Sequence, residues 1–231
     1  MPPRRGYPAS PMTVWEEENG VVDLFPSLTK ALWTLVSILT KGGIVMIPLL
    51  VASIIALAVT IERLLFWWHL RRQETGTTIL LLAAAGKFDQ AVEVSRQSRH
   101  PVARVLQAGL EHKNPSPGPA MEATAQAELQ RLRRYLPMLD TIITLAPLLG
   151  LLGTITGMIS AFGIVSEAGL GQPHAITGGV AEALIATATG LFIAIFTLVP
   201  YNYFRAKVEQ IAQLIEERAT RLELLLSRRE E

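Results

Sequence analysis

Three stretches of the chain stay apolar for longer than a soluble helix requires. The first, 44–68, carries only Glu62 and Arg63 near its end and finishes on Trp67 and Trp68. The second, 138–166, carries Asp140 near its start, and the third, 176–204, carries Glu182. About 20 apolar residues cross a bilayer core, and aromatic residues anchor at its edges, so each stretch predicts a transmembrane helix. The run 79–85 is too short to cross and reads as a segment of soluble helix. Ahead of the first span, Leu24, Leu28, Leu32, Leu35 and Leu39 recur at helical spacing, with Lys30, Thr34, Ser37 and Lys41 on other faces and Trp33 suited to a headgroup boundary. That pattern predicts an interfacial amphipathic helix, or one packed on neighbouring protein, broken by Gly42-Gly43.

Outside the spans the pattern is helical as well. Segments 75–85, 87–97 and 102–111 are short helices punctuated by Gly86 and Pro101, and 114–119 is a stiff turn. Beyond it Met121, Ala125, Leu129, Leu132 and Leu136 form one stripe, and no glycine intervenes before the second span. The second membrane helix is therefore expected to begin near Ala120. Unbroken from 121 to 166 it would run about 69 Å against a core of about 30 Å, with Pro137 and Pro147 as kinks. In the tail, Val208, Ile211, Ile215, Leu222 and Leu225 share a face, with Glu217 and Arg221 on another.

The predicted fold is an all-α membrane protein. It has three transmembrane helices, the second and third extending into a helical bundle outside the bilayer. The expected division is an N-terminal segment 1–43, spans 44–68, 138–166 and 176–204, a helical domain 69–137, a loop 167–175 and a C-terminal helix 205–231.

Charge sets the orientation. Residues 69–137 hold ten Lys and Arg, the tail after the third span holds six, and the 167–175 loop holds none. The N-terminal segment has four, offset by Glu16, Glu17, Glu18 and Asp23. The positive-inside rule then places the N-terminus and the 167–175 loop in the periplasm, and the middle segment and C-terminus in the cytoplasm. Arg4 and Arg5 lead into Gly, Pro and Ser instead of an apolar core, so no secretory signal is expected. A 50% hydrophobic, 18% charged composition with mean hydropathy +0.34 fits this class. The net charge of +1 argues against nucleic acid as a main partner, and the absence of cysteine excludes disulfides and thiolate metal sites.

Glu182 is the only charged side chain between His174 and Arg205. A charge in hydrocarbon costs about 2.5–3.5 kcal/mol on insertion scales, so an acid kept there usually faces a cavity or an ion path. Counting back from Tyr201, Tyr203 and Arg205 instead puts it near the far interface, where water could solvate it; composition leaves both open. Thr154 and Thr156 lie in the second span, Thr187 and Thr189 in the third. Thr189 is nearly in phase with Glu182, while Thr187 is offset by about 140°. Each Thr can satisfy itself on a carbonyl one turn back, but together with the acid they could line a polar path. Gly150, Gly153, Gly157 and Ala161 face the problem of close packing in span two, as do Ala186, Gly190 and Ala194 in span three. Such residues serve packing within one chain or self-association into a ring.

Other chemistry is sparse. His69, His100, His112 and His174 lack metal-ligand spacing, no glycine loop could cradle ATP phosphates, and no nucleophile–base constellation is present. No cofactor, metal or enzymatic activity is expected. Glu62-Arg63 reads as a snorkelling interfacial pair more than a second ion site.

The runs Leu148-Leu-Gly-Leu-Leu-Gly-Thr-Ile-Thr-Gly-Met158 and Gly178-Gly-Val-Ala-Glu-Ala-Leu-Ile-Ala-Thr-Ala-Thr-Gly-Leu191, followed by Tyr201-Asn202, resemble the MotA/TolQ/ExbB proton channel family, and its ExbB and TolQ members most. The match covers about 140–204. The resemblance implies an inner-membrane stator: a homopentamer around two helices of an ExbD- or TolR-like single-span protein that brings a membrane Asp. It further implies an ion pathway at Glu182, Thr154 and Thr187, and use of the proton motive force to drive a TonB- or TolA-like protein. The expected function is ExbB-like energisation of TonB-dependent outer-membrane transport, with a TolQ-like role in the Tol-Pal system or a non-conducting scaffold as alternatives. Two positions depart from the family pattern. Phe196 stands where relatives often have Pro, with Pro200 following, and Thr189 where they usually carry an apolar residue.

Overall fold

The computed structural model describes residues 42–70, 76–114, 116–168 and 173–227. The expected amphipathic helix before the first span lies outside them. Among the described residues every regular element is a helix: α1 Met46–Leu70, α2 Gly76–Ala84, α3 Phe88–Gln97, α4 Pro101–Glu111, α5 Gly118–Arg133, α6 Leu136–Ala168 and α7 Pro173–Ser227. Three helical runs are long and apolar enough to cross a membrane, within α1, α5–α6 and α7. The protein is a multi-pass, all-α membrane protein.

Burial on α1 follows a three-four spacing through Met46, Leu49, Ala52, Ala56, Val59, Arg63 and Trp67. Ile47, Leu50, Ile54, Leu57 and Leu64 stay exposed on the other faces. A helix apolar all round suits lipid on one side and protein on the other. α1 packs on both α6 and α7, and the α6–α7 contact is the most extensive between described elements. The core of this layer runs from Val45 and Leu49 through Leu139, Ile142 and Ala146 to Phe204 and Val208. A second core lies beyond it, where α2, α4 and α5 pack on the far half of α7, and α3 on α2 and α4, through Ile79, Val102, Val105, Leu106, Ile215 and Leu222. α7 belongs to both. Its 55 residues run about 82 Å, far more than a bilayer core.

Span two departs from the expected single helix. α5 ends at Arg133, Arg134 is extended (φ −52°, ψ 135°), and Tyr135 takes a left-handed φ of 67° before α6 begins. Pro137 is the cause. Inside a helix it would lack an N–H donor and clash with the preceding turn, whereas in the first turn of α6 it costs nothing. Pro147 and Pro200, by contrast, lie inside continuous helices.

The break is held by Arg63, which does not snorkel. Its side chain is 3% exposed. It donates to both oxygens of Glu62, with Nη2 at 2.7 Å, and lies 3.5 Å from the carbonyl of Leu132 at the end of α5. Its guanidinium stands 4.6 Å from the Phe66 ring centre and 5.4 Å from that of Tyr135. Arg63 thus serves an orphan helix-end carbonyl and braces the strained tyrosine. Arg63→Met should lower the thermal unfolding midpoint in detergent, with a loss of about 1–3 kcal/mol from the unserved polar groups. Helical content should be retained, and Arg63→Lys should recover only part of the loss. An unchanged midpoint would remove the clamp from the account.

Candidate ion-pathway site

The contact between α6 and α7 is made by small residues. A Cβ placed on Gly150 would stand 3.1 Å from the Ala186 carbonyl oxygen, and one on Gly157 3.0 Å from that of Gly179. A Cβ on Gly153 would overlap that of Ala186, and one on Gly190 would overlap the Ala146 carbonyl oxygen. Backbone therefore meets backbone along the stripe Gly179, Ala183, Ala186 and Gly190 of α7. Such close approach supplies packing where no hydrophobic drive separates protein from lipid. These residues are occupied within one chain, the first of the two uses the sequence allowed.

The stripe divides the polar residues into two groups. Thr187 donates its hydroxyl across to the Gly150 carbonyl oxygen at 3.0 Å. In a helix that carbonyl also accepts the backbone N–H of residue 154. Thr154 donates back to Leu151 at 2.6 Å. Thr156 and Thr189 also satisfy themselves within their own helices.

Glu182 stands on the other flank. Its half-buried carboxylate packs against Gly43, just ahead of α1, where a Cβ would overlap Oε1 and approach Cδ to 2.7 Å. One turn along, Ile185 Cγ2 would lie 3.2 Å from a Cβ on Gly42. Gly43 holds a φ of 73°, which glycine adopts without cost and an L side chain rarely does. In depth, Glu182 is level with the start of α1, near the edge of the apolar layer as the count from the tyrosines expects. In direction, it faces protein. The structure thus bonds Thr187 to α6 at Gly150, leaves the Thr154 hydroxyl on its own helix, and holds Glu182 on the other flank of α7. Gly43 and the Gly150 carbonyl were not foreseen as parts of this site. Gly42-Gly43 reads in sequence only as a helix break, and a backbone carbonyl has no sequence signal.

Residues 97–217, which include both small-residue helices and their extensions, match the MotA/TolQ/ExbB proton channel family. The chain belongs to this family. It is 45% identical over 170 residues to a Synechocystis biopolymer transport protein, ExbB-like 1, covering 70% of this chain and 67% of that protein. With ExbB-like 3 of the same organism it shares 37% over 194 residues, 81% of this chain and 92% of the relative. The Tol-Pal system protein TolQ of Haemophilus influenzae is 38% identical over 94 residues, 41% of each chain. This family member is thus a proton-channel-type stator subunit of the ExbB/TolQ kind, in a family of transport proteins.

Proposed function

We propose that the chain is the ExbB-like subunit of an inner-membrane motor that uses the proton motive force to energise TonB-dependent outer-membrane transport. The observation that carries this reading is the half-buried Glu182 carboxylate, seated against Gly43 near the edge of the apolar layer but turned to protein. An acid in that place is costly unless a path or partner uses it. Five copies form a ring around two helices of an ExbD- or TolR-like protein, whose membrane Asp faces Glu182. The N-terminus and the 167–175 loop are periplasmic, and the helical domain and C-terminus cytoplasmic. Since Glu182 and Thr187 lie on opposite flanks of α7, neighbouring copies complete the path by presenting both faces, with Thr154 beside them, to one central pore. One charge crossing the field gains about 2.3 kcal/mol per 100 mV, which turns the partner and is passed to a TonB-like protein.

Co-expressed with its single-span partner in cells lacking their own ExbB and TolQ, the chain should restore TonB-dependent uptake. Restoration of Tol-Pal function alone would reassign it to the TolQ role favoured by the TolQ likeness. Restoration of neither, with protein in the membrane, would leave a non-conducting scaffold.

The hydroxyls are tested in the same assay. Thr187→Val should impair transport severely, and Thr189→Val should not. Because Thr187 also bonds Gly150, its loss carries a packing cost of about 0.6–1.7 kcal/mol. Thr187→Ser, which keeps the hydroxyl, should recover most activity. The reverse order would mean that helical phase with Glu182 decides the lining. Full activity in both Val variants would remove the hydroxyls from the path.

A further inference from the structure

The ion path proposed above stops partway through the apolar layer. Backbone contacts set α6 and α7 antiparallel in one register: Gly190 meets Ala146 and Gly150, and Gly157 meets Gly179. In that register Glu182 is level with Ile155 and Thr156, while Thr187 bonds Gly150 farther in. From Gly150 to the start of α6 at Leu136 the helix runs about 20 Å, and no group of the path lies there.

Asp140 stands in that stretch. The register sets it level with Thr197 and Leu198 of α7, one turn inside Tyr201. Along the helices it is about 23 Å from Glu182, within a core of about 30 Å. Its side chain is exposed, whereas Leu139 and Ile142 on either side are buried in the core shared with α1 and α7. Asp140 therefore lies on the side of α6 turned away from both. Among the described residues no cation pairs with it. A carboxylate at that depth is costly against lipid, and such acids mark water-filled routes.

The same face carries further polar groups. By helical phase Thr144 and Thr154 fall within about 40° of Asp140, one to each side, and Pro147 within about 20°. Thr144 donates its hydroxyl to the backbone carbonyl oxygens of Asp140, at 3.1 Å, and Thr141, at 2.9 Å. Its oxygen keeps lone pairs for a water. Pro147 lies inside the helix without an N–H, so the Ile143 carbonyl four residues back loses its usual helical donor. A hydroxyl and a released carbonyl, both within a turn of the acid, give ordered water the polar partners it needs.

We infer that Asp140 is the inner terminus of the ion path. It takes a proton from water held along the Thr144 face of α6 and releases it to bulk water on the side of the helical domain. The carboxylate is regenerated at each passage, so nothing else is consumed. This inference rests on the ion-path reading of Glu182 but not on the TonB assignment.

The test has two arms, both with the full chain co-expressed with its single-span partner. In proteoliposomes carrying a pH-sensitive dye, Asp140→Asn should lower proton flux at least about tenfold, with oligomer size unchanged. Asp140→Glu should keep most of the flux. The second arm uses the lack of cysteine in the chain, so that a single Cys reports one position. In open membrane fragments, a cationic water-soluble methanethiosulfonate should modify Thr144→Cys at least about tenfold faster than Leu145→Cys. Leu145 is exposed at the same depth but about 140° from Asp140, so it controls for depth alone. This arm also serves if Asp140→Asn fails to fold. Equal reaction at both positions would mean that water surrounds the helix there, and no reaction at either that the face is dry; each overturns the terminus. Flux abolished by Glu182→Gln but unchanged by Asp140→Asn would overturn Asp140 alone. A wild type that passes no protons would overturn the ion path together with its terminus. Flux that falls in Asp140→Asn where TonB-dependent uptake is never restored would support the terminus and sink only the TonB assignment.

Discussion

Glu182→Gln should reduce energised transport to the level of cells without the chain, while membrane insertion and oligomer size stay unchanged. Gln fills the same volume against Gly43, so the seat beside α1 survives; what disappears is the group that can bind and release a proton. Glu182→Asp should retain partial activity, because the carboxyl remains but is withdrawn by one methylene. The structure adds a second arm. Gly43→Ala leaves Glu182 in the chain but places a methyl where Oε1 now lies, at a φ of 73° that Ala adopts poorly. Transport should fall several-fold in this variant with the acid itself intact. Full activity of Glu182→Gln in the complementation assay would sink the channel reading and leave the scaffold. Full activity of Gly43→Ala alone would show that the carboxylate acts from another orientation.

Gly190→Leu should be the most damaging single change to the fold of the membrane layer. The Cβ at Gly190 would meet the backbone of α6: the Ala146 carbonyl oxygen, the Gly150 Cα at 3.1 Å and the Ala146 carbonyl carbon at 3.2 Å. No side chain can swing away to make room, so α6 and α7 must separate. Overpacking of this kind costs about 1–3 kcal/mol or more, and the Thr187–Gly150 bond would be lost with it. Gly157→Leu meets the Gly179 carbonyl oxygen and Ala183 in a comparable contact and should act in the same direction. Because these glycines pack within one chain, damage should appear first in the protomer. Thermal unfolding should shift down before ring size changes, and native mass spectrometry of the wild type should show five copies. A Gly190→Leu protein that melts normally but runs as a monomer would mean that the glycines serve the ring instead.

Much of the architecture was legible because lipid imposes simple rules. Apolar length alone identifies the three spans, since a bilayer core demands about 20 residues. The helical domain was readable from Gly86, Pro101 and the three-four spacing of its apolar residues, and α2, α3 and α4 fall within a residue or two of those expectations. The motif around Glu182 and Thr154 was likewise enough to place the chain in its family. The extended third helix follows from the stripe Val208, Ile211, Ile215 and Leu222, which continues past the membrane with no glycine or proline to stop it.

Other features required three dimensions. Pro137 could kink or end a helix, and its effect depended on Arg63 being buried where it could serve Leu132 and brace Tyr135, 69 residues away in sequence at the bonded pair. Periodicity carries no information about such a partner. Glu182 and Thr187 are five residues apart, yet they face opposite flanks, and only the placement of α1 and α6 around α7 shows which flank meets what. Local sequence determined which segments enter the membrane, because transfer free energy is a property of each segment by itself. Tertiary structure decided which atoms the acid and the hydroxyls touch, because in a layer apolar on every face only helix-to-helix contact selects one rotation of a helix over another.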